Sequence, residues 1–194
     1  MSMSETTSVV LVGVGGQGIL LGSEVIARAA MLAGYQVKTN EVHGMAQRGG
    51  SVVAQVRYGA EVYSPLVAAG TAAALGSFER IEALRFAHYL MPGGLAVVSS
   101  QMIVPVTVST GQAQYPADAE ARLRQAFPRL TYLDAAQMAL DLGNIRVANV
   151  VILGALSQGL DLPLETWGEA LAACVPPKHR DVNLKAFEAG RRSA

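Results

Sequence analysis

The residues Ser8-Val-Val-Leu-Val12 run without interruption into a loop carrying four glycines in six positions, Gly13, Gly15, Gly16 and Gly18. β-Branched apolar residues favour extended backbone. Glycines let the chain turn sharply and lie close to other groups. Residues 19–33 then carry apolar side chains at helical spacing, and Gly34 stands where a helix would end on a left-handed residue. Residues 35–39 read as a second short strand. Strand, glycine loop, helix and strand form the opening unit of a doubly wound sheet.

The rest of the chain continues that pattern. Residues 51–58 alternate Val52, Ala54, Val56 and Tyr58 with Gln55 and Arg57, as a half-exposed strand does, and 62–64 could pair back on it as a hairpin. A weak strand is predicted at 72–75, a helix at 78–90, a turn at Pro92-Gly93-Gly94 and a strand at 95–99. Residues 104–108 read as an edge strand, because Pro105 has no donor for a ladder. A helix at 117–127 and a strand at 130–133 follow, and Asp134 is placed to cap the next helix. From residue 141 the pattern is nearly all helix (147–159, 164–173 and 182–190), with Asp161 and Asp181 as candidate caps. The expected fold is α/β: a Rossmann-like three-layer sandwich with a mainly parallel sheet, helices on both faces and a helical C-terminal part. One domain, 1–194, accounts for the whole length. The C-terminal apolar faces exceed what one sheet needs, so some are expected to face a partner.

Composition removes several function classes. Fifteen Lys and Arg balance fifteen Asp and Glu, so a general attraction to nucleic acid or to an anionic membrane is not expected. No apolar run approaches the ~18 residues of a membrane span. The polar residues 1–7 lack the basic and apolar regions of a signal peptide, and a cytoplasmic location is expected. The single cysteine, Cys174, cannot form a disulfide within the chain or hold an iron–sulfur cluster alone; beside apolar residues it reads as a packed, inert thiol. The three histidines, His43, His88 and His179, are far apart in sequence, and no metal site is assigned.

Two stretches carry candidate chemistry. Gly13-Val-Gly-Gly-Gln-Gly18 matches G-x-G-x-x-G between strand and helix, where free N–H groups and the helix dipole favour an anion. Gly13, Gly15, Gly16, Gln17 and Gly18 are therefore candidate cofactor-binding residues, and Glu41, roughly 20 residues on, stands near the position of a ribose-binding acid. A stand-alone dinucleotide-binding protein is the alternative reading of this loop. No Gly-Lys-Ser/Thr follows, so it is not a P-loop. The second stretch, Glu41-Val-His-Gly-Met-Ala-Gln-Arg-Gly-Gly50, follows neither helix nor strand rules. Arg48 with the Gly49 and Gly50 backbone could meet a carboxylate or phosphate, and His43 could move a proton near neutral pH. His43, Gln47 and Arg48 are the candidate catalytic residues; Glu41, Gly49 and Gly50 join the cofactor-binding set. Glu79 reads as a favourable first-turn charge, and Asn149 needs a partner if buried.

These two stretches, together with Tyr63-Ser-Pro-Leu66, Phe78-Glu79, Glu82-Ala-Leu-Arg85, Leu90-Met-Pro-Gly-Gly-Leu95 and Asn149-Val-Val-Ile-Leu-Gly154, resemble the small, gamma-type subunit of the 2-oxoacid:ferredoxin oxidoreductases, in the branch acting on indolepyruvate. The resemblance spans essentially the whole chain. It implies oxidative decarboxylation of a 2-oxoacid on thiamine diphosphate, with electrons leaving through 4Fe-4S clusters to ferredoxin and the acyl group passing to coenzyme A. This sequence has neither the Gly-Asp-Gly and paired-asparagine signature for thiamine diphosphate and Mg2+ nor the cysteines for a cluster. The resemblance therefore implies that those cofactors lie on a large partner subunit, none being held by this chain alone. It also implies a partner-facing apolar patch beside residues 40–50.

Overall fold

The computed structural model describes residues 6–44 and 49–194. The first strand, β1 (Thr7–Val14), is flanked on both sides in the sheet and buried along nearly its whole length, which is why it is a continuous apolar run and not an alternating one. It passes through the glycine loop into α1 (Ile19–Leu32). That helix ends as the sequence predicts. Gly34 is left-handed at φ 87°, its N–H donates to Met31 O, and Tyr35 N–H donates to Ala30 O, a Schellman closure of two orphan carbonyls.

The strand after α1, β2 (Gln36–His43), runs four residues beyond the predicted 35–39 and reaches Glu41 and His43. It is an exposed edge strand. Next comes β3 (Ser51–Gly59), which inserts between β2 and β1 and runs antiparallel to both. Then follow β4 (Ala72–Ser77), α2 (Arg80–Arg85), β5 (Leu90–Ser99), α3 (Val106–Ser109), α4 (Ala119–Ala126), β6 (Leu130–Leu133), α5 (Ala135–Asp141), α6 (Ala148–Leu156), α7 (Leu164–Cys174) and α8 (Arg180–Arg192). The sheet order is β2-β3-β1-β4-β5-β6, with β1, β4, β5 and β6 paired in parallel. The fold is α/β with a mainly parallel sheet, and β3 is its one reversed strand among the described residues.

Two apolar layers cover the sheet. Val9, Leu11, Ala54, Val56 and Val97 pack under α1, α6, α7 and α8. Val10, Val12, Val53, Leu75 and Val98 pack under α2 and α4. The sequence Ala72-Ala-Ala-Leu-Gly76 looks weak for a strand but suits its place: a β-carbon on Gly76 would stand 2.5 Å from Leu156 Cδ1 and 2.8 Å from Leu11 Cδ2, so α6 comes down directly on β4. α6 is buried all round from Asn149 to Leu156, as its sequence, apolar but for Asn149, requires.

Several local expectations are corrected. β3 is not half-exposed: Gln55 is buried, accepting from Val67 N–H at 2.9 Å, and Arg57 donates to Ser64 O and Leu66 O. The 61–67 segment therefore lies over β3 as a loop, not as the predicted hairpin strand. The predicted 78–90 helix is only α2 followed by a 3-10 turn at Ala87–Tyr89. The Pro92-Gly93-Gly94 turn is an irregularity inside β5, between the pairs Ala72–Leu90 and Ala74–Leu95, with Gly93 at φ 77°. Residues 104–108 are not an edge strand; Pro105 starts a helical turn and its carbonyl accepts from Val108 and Ser109. Asp134 caps α5 as predicted, accepting from Gln137 N–H at 2.9 Å. Asp161 and Asp181 do not cap; α7 begins after Pro163, and α8 begins at Arg180 with Asp181 in its first turn.

Candidate functional site

Parallel strands direct their carboxyl ends to one edge, and a ligand cleft forms where neighbouring connections leave in opposite directions. Here the chain leaves β1 toward β2 and leaves β4 toward β5, so that point lies between β1 and β4, at the glycine loop. Gly18 enters α1 at φ 80°. An ideal β-carbon there would meet Asn149 Nδ2 at 2.3 Å, so its glycine is required by both conformation and space. Asn149 is buried at the start of α6; its Nδ2 donates to Gly18 O at 3.4 Å and its Oδ1 accepts from Val150 N–H at 2.9 Å.

Gln17 is the internal fastener of the loop. Its Oε1 accepts from Val14 N–H at 2.7 Å, and its Nε2 donates to Phe78 O at 2.7 Å and Gln101 Oε1 at 3.0 Å. It joins the carboxyl ends of β1 and β4 to the segment after β5. A β-carbon on Gly13 would stand 2.7 Å from Gln17 Oε1, so Gly13 makes room for this side chain. On the other side, Gly15 N–H donates to Gly50 O at 2.8 Å. With Gln17 N–H donating to Val14 O at 3.2 Å, three N–H groups at the loop, those of Val14, Gly15 and Gln17, are taken by the chain's own acceptors. No side chain caps the start of α1 among the described residues.

Two clefts flank the loop. One, of about 470 Å³, is lined by Gly15, Gly16, Gly18, Ile19, Leu20, His43 and Val52. The other, of about 440 Å³, has the polar side chains of Gln17, Ser99, Gln101, Arg146 and Asn149 in its lining. His43 is exposed at the end of β2 and reaches the first cleft. Glu41, two residues earlier and on the same strand face, is tied to α1 by a 2.9 Å hydrogen bond from Ser23 Oγ. The structure therefore gathers Gly13, Gly15, Gly16, Gln17, Gly18, Glu41, His43 and Gly50 at one edge of the sheet. Gly49, left-handed at φ 77°, leads into Gly50. Gln47 and Arg48 lie outside the described residues.

Two carboxylates at the start of α2 are buried beneath the sheet edge, outside the lining of either cleft. Glu79 is not a simple surface charge. It is buried, caps α2 by accepting from Ile81 N–H (2.6 Å) and Glu82 N–H (3.0 Å), and accepts from Tyr115 O–H at 2.7 Å. Arg80 Nε donates to the same Tyr115 oxygen at 2.9 Å. Burial, then the Glu79 carboxylate it donates to, push the Tyr115 hydroxyl up to about 12 against the pull of Arg80. Glu82 is also buried and accepts from Ser51 Oγ, the first side chain of β3. The pair Phe78-Glu79 was a sequence signal for the first; nothing local to Ser51 or Tyr115 predicts their partners thirty or more residues away. Among the described residues no three His, Cys, Asp or Glu side chains come together as a metal site, and no helix is long and apolar enough to cross a membrane.

The comparisons with known proteins agree along the full length. The family model described as pyruvate ferredoxin/flavodoxin oxidoreductase matches residues 8–193. Indolepyruvate oxidoreductase subunit IorB of Thermococcus kodakarensis is 45% identical over 192 residues, 96% of this chain and 95% of that protein. The crystal structure of the keto/oxoacid ferredoxin oxidoreductase gamma subunit from Geobacter sulfurreducens has the same fold, with a TM-score of 0.70 at 24% identity, covering 97% of this chain and 98% of that one. A 2-oxoglutarate:ferredoxin oxidoreductase from Magnetococcus marinus contains the fold as part of a longer chain: TM-score 0.74 and 23% identity over 98% of this chain and 31% of that one.

Proposed function

The chain belongs to the pyruvate ferredoxin/flavodoxin oxidoreductase family, as the small subunit of a 2-oxoacid:ferredoxin oxidoreductase, and from that premise we propose that its enzyme oxidatively decarboxylates an aryl pyruvate such as indolepyruvate. The products are the acyl-CoA, carbon dioxide and two electrons passed to ferredoxin. The observation that carries the choice of substrate class is the 45% identity, end to end, with a subunit named for indolepyruvate.

Thiamine diphosphate with Mg2+ and the 4Fe-4S clusters do not fit the residues of this chain. It has one cysteine, and the described residues offer no acidic or histidine cluster for a cation. We assign those groups to a large partner subunit. This chain's part, as a single gamma-type domain in the cytoplasm, is to bring its glycine-loop edge to the shared site. The edge presents His43 and the Gly16 and Gly18 backbone; Gln47 and Arg48, outside the described residues, remain candidates from the sequence. An arginine followed by two glycines suits the carboxylate or phosphate of an anionic co-substrate. His43 suits proton transfer near neutral pH. The exposed apolar residues Leu20 and Val42 at this end of the sheet are the start of the partner-facing patch.

The test is anaerobic reconstitution. The chain is mixed with the large subunit of its own organism, and reduction of ferredoxin is followed with indolepyruvate, pyruvate and 2-oxoglutarate, each with coenzyme A. Activity that needs both subunits and prefers the aryl substrate is expected. Full activity of the large subunit alone, or a preference for 2-oxoglutarate, would overturn the assignment.

A further inference from the structure

Glu82 lines neither cleft, yet it is connected to the glycine loop from the opposite face of the sheet. Only 6% exposed, it sits in the first turn of α2. Its Oε1 pairs with Arg85 Nη1 at 2.6 Å, and its Oε2 accepts from Ser51 Oγ. Burying a carboxylate is costly unless partners replace its water, and a serine hydroxyl at a strand end needs no buried acid to satisfy it. The arrangement makes sense as a means of fixing Ser51. Ser51 directly follows Gly50, whose carbonyl accepts from Gly15 N–H at 2.8 Å, in the middle of the glycine loop. Ser51 also pairs with Val14 across the sheet, and its carbonyl accepts from Gly44 N–H. Both ends of the 44–51 stretch and the glycine loop therefore converge on this residue.

We propose that Glu82 is a positioning residue: through Ser51 it fixes Gly50, and through Gly50 it sets the Gly15 amide and the loop that forms the wall between the two clefts. This rests on the reading that the glycine-loop edge is what the chain contributes to the assembled enzyme. Gln17 holds the Val14 side of the loop and Glu82 holds the Gly15 side. The rim is thus set by two anchors, Gln17 within the second cleft and Glu82 outside both.

The experiment has two arms. In the full-length chain, amide exchange is measured residue by residue by NMR for the wild type, Ser51→Ala, Glu82→Ala and Glu82→Gln. The expected result is exchange at Gly15 about tenfold faster in Ser51→Ala and Glu82→Ala, with Leu11 and Val12 unchanged, as for loss of one local hydrogen bond. Glu82→Gln, which keeps an acceptor for Ser51, should stay within about threefold of wild type. Should Glu82→Ala not fold, Ser51→Ala still decides. Unchanged exchange at Gly15, or equal acceleration throughout β1, overturns the proposal. In the reconstituted enzyme, Ser51→Ala should lower kcat/KM severalfold at unchanged affinity between subunits; unchanged kcat and KM would likewise overturn it. If the wild-type chain fails to complete the enzyme while the Gly15 result holds, the functional reading falls and the relay stands.

Discussion

Asn149 Nδ2 occupies the place where a β-carbon on Gly18 would have to lie, 2.3 Å away. The contact joins the glycine loop to the buried helix α6, which is 131 residues later in the chain. Gly18→Ala therefore combines left-handed strain, about 1–2 kcal/mol, with displacement of a buried amide, and should destabilise by at least about 3 kcal/mol. Gly16 is also left-handed, at φ 103°, but nothing lies within 4 Å of its β-carbon. Gly16→Ala should cost only the strain, about 1–2 kcal/mol. Urea denaturation of the two variants measures the difference; equal costs would mean that Asn149 moves aside freely.

The packing of α6 on α8 rests on a reciprocal pair of glycines. A β-carbon on Gly154 would stand 2.0 Å from Phe187 O, and one on Gly190 would stand 1.9 Å from Val151 O. The helices touch backbone to backbone, and neither obstacle is a side chain that could rotate away. Gly154→Ala and Gly190→Ala should each destabilise by about 3 kcal/mol or more, at or above the usual range for overpacking. Near-ultraviolet circular dichroism gives a second readout, because Trp167 lies 5.5 Å from Phe187 between ring centroids. A change in that signal at temperatures below unfolding is expected.

What could be read from the sequence was what depends on neighbours along the chain. Val12, the glycines, α1 and Gly34 specify their conformations locally, so the first unit was legible to within a few residues. β3 has the alternation of an ordinary half-exposed strand. Its insertion between β2 and β1, and the cover that 61–67 provides over Gln55, depend on tertiary partners that no local pattern encodes. Residues 104–108 failed differently: Val104 and Val106 suggest a strand, but Pro105 is more valuable as the start of a helical turn than as a gap in an edge ladder. In the site, the glycines and His43 announced themselves by residue type. Glu79 and Glu82 look like surface charges on a short helix and become buried only because Tyr115 and Ser51 arrive from elsewhere.

Tyr115 makes stability sensitive to alkaline pH. Its hydroxyl titrates near the ordinary 10 in the unfolded chain and at about 12 in the folded one. The folded state holds the proton longer, so this contribution is complete below about pH 10 and is lost as pH rises through 12. Tyr58, held above the ordinary tyrosine range by burial, acts in the same direction. Tyr115→Phe should lower stability at pH 8 by about 1 kcal/mol, through the lost hydrogen bond to Glu79. It should also flatten part of the decline between pH 10 and 12, leaving the part due to Tyr58. Urea midpoints across that range distinguish this from a uniform loss.

Cys174 should be slow to react. Half-buried at the end of α7, its thiol is pushed up chiefly by burial, with Glu24 adding to the effect. Less thiolate at a given pH means slower attack on disulfides and alkylating agents. Ellman's reagent at pH 8 should label the folded chain at least about tenfold more slowly than a small-molecule thiol, and one full equivalent should react in urea. Rapid labelling without denaturant would show that the α7 end opens readily.

Gln17 supplies the most direct test of how the glycine loop is held. Gln17→Glu keeps the acceptor for Val14 N–H but removes both donated hydrogen bonds, leaving a carboxylate oxygen facing Phe78 O and Gln101 Oε1. Loss of two donors, with a carboxylate oxygen set against acceptor oxygens, should destabilise by about 2–4 kcal/mol at neutral pH. Gln101 is exposed, and water can replace it, so Gln101→Ala should cost less than about 1 kcal/mol. Chemical denaturation of both variants separates the two contacts. A large cost for Gln101→Ala would mean that the bridge to the segment after β5, and not the Phe78 carbonyl, is what keeps Gln17 in the loop.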